Sequence, residues 1–352
     1  MQAGKSSIQF EHPPIITSAA SIVGQTEGEG PLAIFFDRVE PDPTFGKKSW
    51  EEAESELQRQ TVQKCLDKAG RQAADVNCLF AGDLLGQIVA TSFGVESFDI
   101  PFFGLYGACS TMGEAMILGA MAAGAGYADR VLALASSHFA SAERQFRFPL
   151  AYGNQRPQST TWTVTGCGCV MIEGNEKNEG KDGRRAKVNA SESLKNAGQE
   201  KLHPKFQPCI PAATPGKIVD MQMRDSMNMG AAMAMAALDT IVRNFRDLGV
   251  DETHYDQIIT GDLGTVGRRL LLDYLMQAGY RIEDLLRDLN EGEDYEIDCD
   301  ADGTKAGDFP MRIRLSGELT SSLESEWKGK VRIQIRSGIL TVKEAVEKSV
   351  DK

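Results

Sequence analysis

The chain has 352 residues, of which 50 are Asp or Glu and 38 are Lys or Arg, so its formal net charge is −12. This excess of negative charge repels phosphate backbones and anionic lipid headgroups, which argues against nucleic acid as a partner and against direct adhesion to a membrane. The seven cysteines have no regular spacing, which argues against a disulfide framework and favours a reducing compartment. The longest uncharged apolar segments, 115–128 and 227–238, are shorter than the roughly 18–20 residues of a membrane-spanning helix.

The first half of the chain alternates strand patterns with helix patterns. Residues 49–52 read Ser-Trp-Glu-Glu, a capping box that predicts a helix over 50–69, ended by Gly70. An Ala-, Met- and Gly-rich run predicts a second helix over 111–124. Short apolar or β-branched runs predict strands at 15–23, 76–81, 101–106, 130–136 and 162–173.

The second half repeats this alternation after a polar, Gly-containing hinge at 175–185. Its predicted elements are strands at 186–190 and 257–260 and helices at 226–245 and 266–277. Alternating strands and helices predict an α/β fold with a mostly parallel sheet covered by helices on both faces. We therefore expect two similar halves, at 1–180 and 186–352.

The last seventy residues follow a different pattern. Residues 283–302 hold ten acids and one Arg, which indicates a solvated acidic segment. Asp298, Asp300 and Asp302 begin like a calcium loop, but Phe309 stands where that loop requires Glu, so we predict no metal site. Strands are expected at 311–315 and 331–336, followed by a helix-like tail from 341.

Cys109 lies in a run of small residues, Gly107-Ala108-Cys109-Ser110-Thr111, between a predicted strand and a predicted helix. Such a run allows a sharp turn that exposes the thiol at a helix N-terminus, where the helix dipole lowers a thiol pKa. This is the arrangement of a nucleophile elbow. The alternative is a cysteine that serves as a small buried apolar residue.

Longer motifs make a resemblance specific. With the elbow they are Ala-Leu-Ala-Ser-Ser-His-Phe-Ala-Ser-Ala-Glu-Arg-Gln at 133–145, Phe-Arg-Phe-Pro-Leu at 146–150, Tyr-Gly-Asn-Gln-Arg-Pro at 152–157, Trp-Thr-Val-Thr-Gly at 162–166, Asn-Met-Gly-Ala-Ala-Met-Ala at 228–234 and Gly-Asp-Leu-Gly-Thr-Val-Gly at 261–267. Over roughly residues 8–280 the chain resembles the thiolase-like superfamily, and within it the stage V sporulation protein AD family.

The resemblance implies a thiolase fold of two βαβαβαββ halves and a role in spore formation. The implied ligand is dipicolinic acid (pyridine-2,6-dicarboxylate), with or without Ca²⁺, which is loaded into the developing spore. The implied partners are small membrane proteins of the same sporulation operon, and the implied location is peripheral at the forespore inner membrane, or else the cytoplasm. Homodimerisation is expected by analogy, and no cofactor is expected.

One departure argues against condensation chemistry. Condensing enzymes also need basic residues from the second half. After the strand at 257–260 a ketoacyl synthase would present His, whereas this chain has Gly261-Asp262, and His254 precedes the strand. We predict a non-catalytic binder in which Cys109 is a vestigial nucleophile. The alternatives are an acyltransferase that uses Cys109 and a structural interaction protein.

Three arginines interleaved with aromatic residues, between 144 and 156, suit a planar dianion, because guanidinium groups bind carboxylates and aromatic faces stack on a pyridine ring. The alternative is a solvated loop. Two further candidates have structural alternatives, His138 as a hydrogen-bonded loop histidine and Asp83 as a helix cap. The predicted ligand-binding set is Asp83, Cys109, His138, Arg144, Arg147, Phe148, Tyr152, Asn154, Gln155, Trp162 and Thr163.

After about residue 285 the resemblance stops. The Cys-Gly-Cys loop and the Thr-Gly-Ala-Leu-Leu-Ser-Pro-like run that the family pattern leads us to expect are not in the sequence. Their loss would leave strand edges exposed in the second half. The hypotheses are a shifted reading frame and true divergence, which translation of the nucleotide sequence in all three frames would distinguish.

Overall fold

A computed structural model describes residues 1–30, 32–146, 163–175, 208–225, 228–283, 286–288, 295–299, 331–336 and 339–344. Several features discussed above lie outside these residues. They are most of the hinge, the strands expected at 186–190 and 311–315, and the site candidates Arg147, Phe148, Tyr152, Asn154, Gln155 and Trp162.

The described elements are mixed α/β, as the sequence predicts. The strands are β1 (Gln2–Ala3), β2 (Ser7–Gln9), β3 (Ile15–Gly24), β4 (Arg38–Glu40), β5 (Cys78–Asp83), β6 (Phe102–Gly104), β7 (Arg130–Ser137), β8 (Gly166–Glu173), β9 (Ala212–Ala213), β10 (Ile258–Thr260), β11 (Leu286–Asp288), β12 (Tyr295–Cys299), β13 (Val331–Arg336) and β14 (Ile339–Glu344). The helices are α1 (Gln25–Gly28), α2 (Trp50–Ala69), α3 (Val89–Val95), α4 (Thr111–Gly124), α5 (Phe139–Phe146), α6 (Met229–Leu248) and α7 (Gly264–Gln277).

The first half is built on a six-stranded sheet with the order β4-β3-β8-β7-β5-β6. The pairs β3–β4, β5–β7 and β5–β6 are parallel, whereas β8 runs antiparallel to both of its neighbours. The sheet is therefore mostly parallel, which agrees with the prediction from alternating strand and helix patterns.

The two faces of this sheet carry different helices. On one face, side chains such as Leu79 and Leu132 pack with Leu57 of α2 in one apolar cluster. On the other face, Phe80 and Val131 pack in a second cluster that includes α4. Successive residues of a strand thus point alternately to the α2 face and to the α4 face. In β5 the odd-numbered side chains lie on the α2 face, and in β7 the even-numbered ones do.

Helix α2 begins and ends where the capping signals predict. The Ser49 side chain accepts a hydrogen bond from the backbone N–H of Glu52, and the Glu52 side chain accepts one from the backbone N–H of Ser49. Gly70 ends the helix in the left-handed region with φ 63°, where glycine has no Cβ penalty. These local signals explain why this helix could be placed from the sequence.

In the second half, α6 and α7 pack against the two-stranded parallel sheet β10–β11, around buried residues that include Leu271, Leu275 and Leu286. The two helices approach closely at a pair of glycines, since a Cβ on Gly230 would lie 2.0 Å from the Leu263 carbonyl oxygen and one on Gly267 would lie 2.5 Å from that of Gly230. The helices therefore cross at backbone contact distance.

Two expectations for the C-terminal part are wrong. The acidic stretch 283–302 is not wholly a solvated segment, because it contains β11 and β12, and Leu286 of β11 is buried. Of the helix-like tail expected from 341, the described residues 341–344 belong instead to strand β14, which pairs antiparallel with β13. The β-branched residues Ile339, Thr341 and Val342 favour this extended pairing over a helix.

Candidate functional site

The Cys109 elbow forms where the sequence predicts it. A 3₁₀ turn over Ala108–Ser110 leads directly into α4, and Ala108 adopts φ 47°, an uncommon value for a residue with a Cβ. Within the turn, the Ser110 hydroxyl donates to the Gly107 carbonyl at 2.7 Å and the Thr111 hydroxyl donates to the Ala108 carbonyl at 2.8 Å. The elbow is therefore held by its own hydrogen bonds.

A glycine of β5 allows the elbow to approach the sheet. A Cβ added to Gly82 would lie 2.2 Å from the Leu105 carbonyl oxygen and 2.8 Å from Cγ2 of Thr111. The chain that leads into the elbow thus passes directly over the end of β5, on the α4 face.

The expectation of a lowered thiol pKa at Cys109 is wrong. Although Cys109 is an exposed residue, the protein around its thiol removes enough water to raise the thiol pKa, and the negative charge of Asp262 raises it further. Both effects favour the protonated form of the thiol.

Asp262 comes from the second half and lies at the start of α7. Its carboxylate accepts a hydrogen bond from the Gly264 backbone N–H at 2.9 Å, in the turn that opens the helix. The charge of this second-half carboxylate therefore acts on the Cys109 thiol of the first half. The second-half residue whose charge acts on the thiol is thus an acid.

Asp83 has a structural role on the opposite face. The Asp83 carboxylate is buried and accepts hydrogen bonds from the backbone N–H groups of Leu85 and Thr91, both at 3.0 Å, and from the Thr91 hydroxyl at 2.7 Å. Asp83 lies four residues after Leu79 in the same strand, so its side chain points to the α2 face as well. Cys109, in contrast, lies at the start of α4, on the other face. The carboxylate organises the turn and helix α3 that follow β5, as the capping alternative proposes.

His138 is also held by internal contacts. Its ring is buried, Nε2 donates to the Pro43 carbonyl at 2.7 Å, and Nδ1 accepts from the Ala140 N–H at 3.2 Å. The ring stacks on Trp50 of α2 with centroids 5.5 Å apart. Burial lowers the histidine pKa, so the ring is neutral at physiological pH. These contacts match the hydrogen-bonded alternative for this residue.

Arg144 extends from α5 towards the start of α2, where its guanidinium pairs with the Glu51 carboxylate. Thr163, the last predicted candidate among the described residues, is partly buried just before β8. The structure therefore does not bring Asp83, His138 and Arg144 together with Cys109. The first three lie on the α2 side of the sheet.

A buried polar network on that side was not predicted. Glu54 of α2 is 2% exposed, and its carboxylate accepts hydrogen bonds from the hydroxyls of Ser136 at 2.7 Å and Ser141 at 2.9 Å. Burial raises the pKa of Glu54 to about 7, with a further contribution from the negative charge of Asp83. The sequence signal was a charged residue beside Ala53 and Leu57, on the apolar stripe of a helix.

Gln58, one turn further along α2, joins the two carboxylates. Its amide nitrogen donates to Ser136 at 2.7 Å and to Thr91 at 2.9 Å, and these hydroxyls donate onward to Glu54 and Asp83. One amide thus orients two hydroxyls towards two buried acids. The network fixes α2, α3 and the end of β7 relative to one another.

Within the ranges that the structure describes, no group of three or more His, Cys, Asp or Glu side chains is arranged to hold a metal ion. None of the described helices is long and apolar enough to cross a membrane.

The described molecule is an α/β protein with an elbow cysteine at a helix N-terminus and an acidic residue whose charge acts on the thiol. Residues 4–300 match the family model described as stage V sporulation protein AD (SpoVAD). A curated relative, the stage V sporulation protein AD of Bacillus subtilis (strain 168), is 38% identical over 279 residues, which cover 79% of this chain and 74% of the relative. The chain belongs to the stage V sporulation protein AD family.

Several solved structures are similar to the chain. The 3-oxoacyl-(acyl carrier protein) synthase III of Pseudomonas aeruginosa is 11% identical, covers 78% of this chain and 82% of its own, and has a TM-score of 0.44. The synthase III of Xanthomonas oryzae is 11% identical, with coverages of 80% and 86% and a TM-score of 0.48. Cerulenin-bound OleA of Xanthomonas campestris is 12% identical, with coverages of 80% and 83% and a TM-score of 0.49. Likeness at this level carries no activity over to this chain.

Proposed function

We propose that the protein binds pyridine-2,6-dicarboxylate without transforming it and takes part in its uptake into the developing spore. The observation that carries this proposal is the Cys109 elbow, which packs closely over Gly82 at the start of α4. Removal of water from the thiol there raises its pKa, and the charge of Asp262 raises it further. A protonated thiol is a poor nucleophile, so the elbow is better suited to lining a binding site than to forming a thioester. Membership of a sporulation family supports the biological setting.

The proposed site lies at the elbow, where α4 begins near the start of α7. Backbone N–H groups and the dipole at a helix N-terminus favour a carboxylate. We propose that Arg147 and the aromatic residues Phe148, Tyr152 and Trp162 complete the site by pairing with the carboxylates and stacking on the ring. Each charge-assisted hydrogen bond contributes about 1.5–3 kcal/mol when shielded from water. Two such bonds with stacking would give micromolar affinity, about −8 kcal/mol.

Isothermal titration calorimetry with dipicolinate tests this proposal directly. We expect heat of binding for the wild type and at least about tenfold weaker binding for Arg147→Ala. The matched control is Arg281→Ala, since Arg281 is an exposed second-half residue that is not part of the proposed site. Absence of heat with the wild type, or equal affinity in both variants, would overturn the proposed site.

The same titrations should be run with and without Ca²⁺. The carboxylate of Asp262 opposes a free dianion at the elbow, and a cation bound to the ligand would offset that repulsion. We therefore expect tighter binding of the calcium chelate, and we expect Asp262→Asn to tighten binding of free dipicolinate. If Asp262→Asn has no effect on either form, the ligand does not bind beside Cys109.

We also propose that the protein is a homodimer that reaches the forespore inner membrane through small membrane proteins of the same sporulation operon. The feature that supports dimerisation is β6, an edge strand of the six-stranded sheet on which Phe103 is exposed; Phe93 and Tyr106, in the segments before and after this strand, are exposed as well. Pairing of β6 with the same strand of a second copy would cover these aromatic residues. Sedimentation equilibrium tests this, and Phe103→Asp is expected to give monomers.

Acyl transfer by Cys109 is a second candidate, favoured by one observation. Ala108 holds a positive φ at the turn before the cysteine, and such backbone strain is common at catalytic elbows. The test is incubation with acyl-CoA followed by intact mass measurement. An acyl adduct that disappears in Cys109→Ser would establish a thioester intermediate, and an unmodified protein would favour the binding role.

A further inference from the structure

An exposed apolar surface lies at the edge of the sheet opposite β6. It consists of Leu32, Ile34, Phe35 and Val39, and we call it the β4 surface. Ile34 is 65% exposed and Phe35 is 72% exposed, although both belong to an ordered 3₁₀ turn over Ala33–Phe35. Exposed aromatic and β-branched side chains side by side are costly in water, so a patch of this kind indicates a binding surface.

The members of the β4 surface belong to one contiguous patch. Helix α1 contacts both the 3₁₀ turn and β4. Val39 packs directly on the end of α1, where a Cβ added to Gly28 would lie 2.3 Å from Cγ1 of Val39. The turn and the strand are thus both packed against the same short helix, which brings their exposed apolar side chains into one region of the surface.

The geometry of β4 limits how a partner can bind. Among the described residues β4 pairs only with β3, so its other edge is open. The strand is only three residues long, however, and Pro41 follows immediately. A strand added to this edge would gain few backbone hydrogen bonds. Binding must therefore depend mainly on the side chains of Ile34 and Phe35.

The charges around the patch indicate the chemistry of the partner. Glu40 is paired with Arg38, and Asp37 with Lys68. Glu29 and Asp42 are exposed, and among the described residues neither forms an ion pair with a Lys or Arg. These two acids flank the apolar residues in the sequence. Their charge disfavours an anionic bilayer, and it disfavours a second copy, which would bring the same acids together. It favours a segment that carries Lys or Arg beside its apolar side chains.

We propose that the β4 surface docks a segment of a partner protein that presents apolar or aromatic side chains together with Lys or Arg. The aliphatic and aromatic side chains cover Ile34 and Phe35, and the basic groups pair with Glu29 and Asp42. This interaction is separate from dicarboxylate binding. It uses the edge of the sheet that a β6-mediated dimer leaves open.

The test is selection of a random dodecapeptide library displayed on phage against the immobilised full-length protein. We expect enriched peptides to combine aromatic or branched residues with a net positive charge. A fluorescently labelled synthetic copy of an enriched peptide is then titrated by anisotropy. Its affinity should fall at least about tenfold in the Ile34→Ser/Phe35→Ser variant and should weaken as salt is raised.

The matched control is Tyr127→Ser, which removes another exposed apolar side chain, 88% exposed, from a different part of the surface. Equal urea midpoints for both variants and the wild type would confirm intact folding. Peptides that bind all three proteins equally, acidic peptides, or no enrichment would overturn the proposal. So would binding to phosphatidylglycerol vesicles, or self-association by sedimentation, that depends on Ile34 and Phe35.

Discussion

Glu54 of α2 and Ser141 of α5 are joined by a buried hydrogen bond of 2.9 Å between the carboxylate and the hydroxyl. The same hydroxyl lies 3.0 Å from the His138 carbonyl oxygen. The Ser141 hydroxyl has one proton to donate. It donates this proton to the Glu54 carboxylate when Glu54 is ionised, and it can donate it to the His138 carbonyl oxygen when Glu54 is protonated. The contact between α2 and α5 thus accommodates both protonation states of the acid.

The first prediction concerns stability and pH. Because the folded state raises the Glu54 pKa from 4.5 to about 7, the folded protein holds a proton between these values that the unfolded chain has released. The contribution of Glu54 to stability therefore falls as pH rises from 4.5 to about 7 and is constant above that range. The free energy of unfolding of Glu54→Gln, measured in urea at several pH values, should lack this fall, so its stability relative to wild type should increase by about 3 kcal/mol between pH 4.5 and 8.

Comparison with Glu54→Gln is needed because His138 acts in the opposite direction. Burial lowers the His138 pKa, so below pH 6.5 the unfolded chain binds more protons at this residue, and the contribution of His138 to stability rises as pH approaches 6.5. Both proteins retain His138, so the difference between their curves isolates Glu54. A difference that does not change with pH would contradict the assigned pKa.

The second prediction is that His138 supports the fold. His138→Ala removes the hydrogen bond to Pro43 and the stacking on Trp50, and it leaves a cavity between α2 and α5. We expect a loss of about 2–3 kcal/mol in the free energy of unfolding. His254→Ala, which changes an exposed histidine, should have little effect. Equal stability of the two variants would show that the buried contacts contribute nothing.

The third prediction concerns the reactivity of Cys109. Removing the negative charge in Asp262→Asn should lower the pKa of the thiol while keeping an acceptor for the Gly264 N–H. Alkylation of Cys109 by iodoacetamide at pH 8, followed by peptide mass spectrometry, should become about threefold faster at low salt. Asp256→Asn, at an exposed position before β10, serves as the control. Identical alkylation rates in both variants would show that the charge of Asp262 does not affect the Cys109 thiol.

The fourth prediction compares two glycines near the elbow. A methyl group on Gly82 would overlap the Leu105 carbonyl, so Gly82→Ala should cost about 2 kcal/mol or more of stability. Gly113 lies within α4, and a methyl group added there would meet no atom within 4 Å, so Gly113→Ala should stabilise by about 0.5–1 kcal/mol. Thermal unfolding of both variants tests the pair. Similar midpoints would show that the chain does not pass closely over Gly82.

Elements with local signals could be predicted from the sequence. The capping box and Gly70 determine both ends of α2, and α4 occupies the predicted range of 111–124. Strand β5 begins two residues later than its apolar run predicts, since such a run does not show where pairing begins. The prediction for the acidic stretch is wrong because burial of Leu286 against α7 depends on tertiary contacts, which outweigh the local charge.

The candidate site was harder to predict. The elbow is recognisable because small residues before a helix form a local pattern. Removal of water from the Cys109 thiol raises its pKa, and the charge of Asp262, more than 150 positions away in the chain, raises it further; neither effect can be deduced from the residues next to Cys109. Asp83 and Cys109 also follow neighbouring parallel strands, and this position in the sequence suggests that they share a cleft. The alternation of side chains along β5 assigns Asp83 to the other face.

The separation of the two faces has a consequence for how this protein could change during evolution. Among the described residues, no hydrogen bond links the Glu54 network with the elbow turn. The sheet, with apolar residues such as Leu79 and Phe80, lies between the buried acids Glu54 and Asp83 and the elbow. A substitution in the elbow turn therefore breaks no hydrogen bond of the Glu54 network, so the two parts of the protein can change independently of each other.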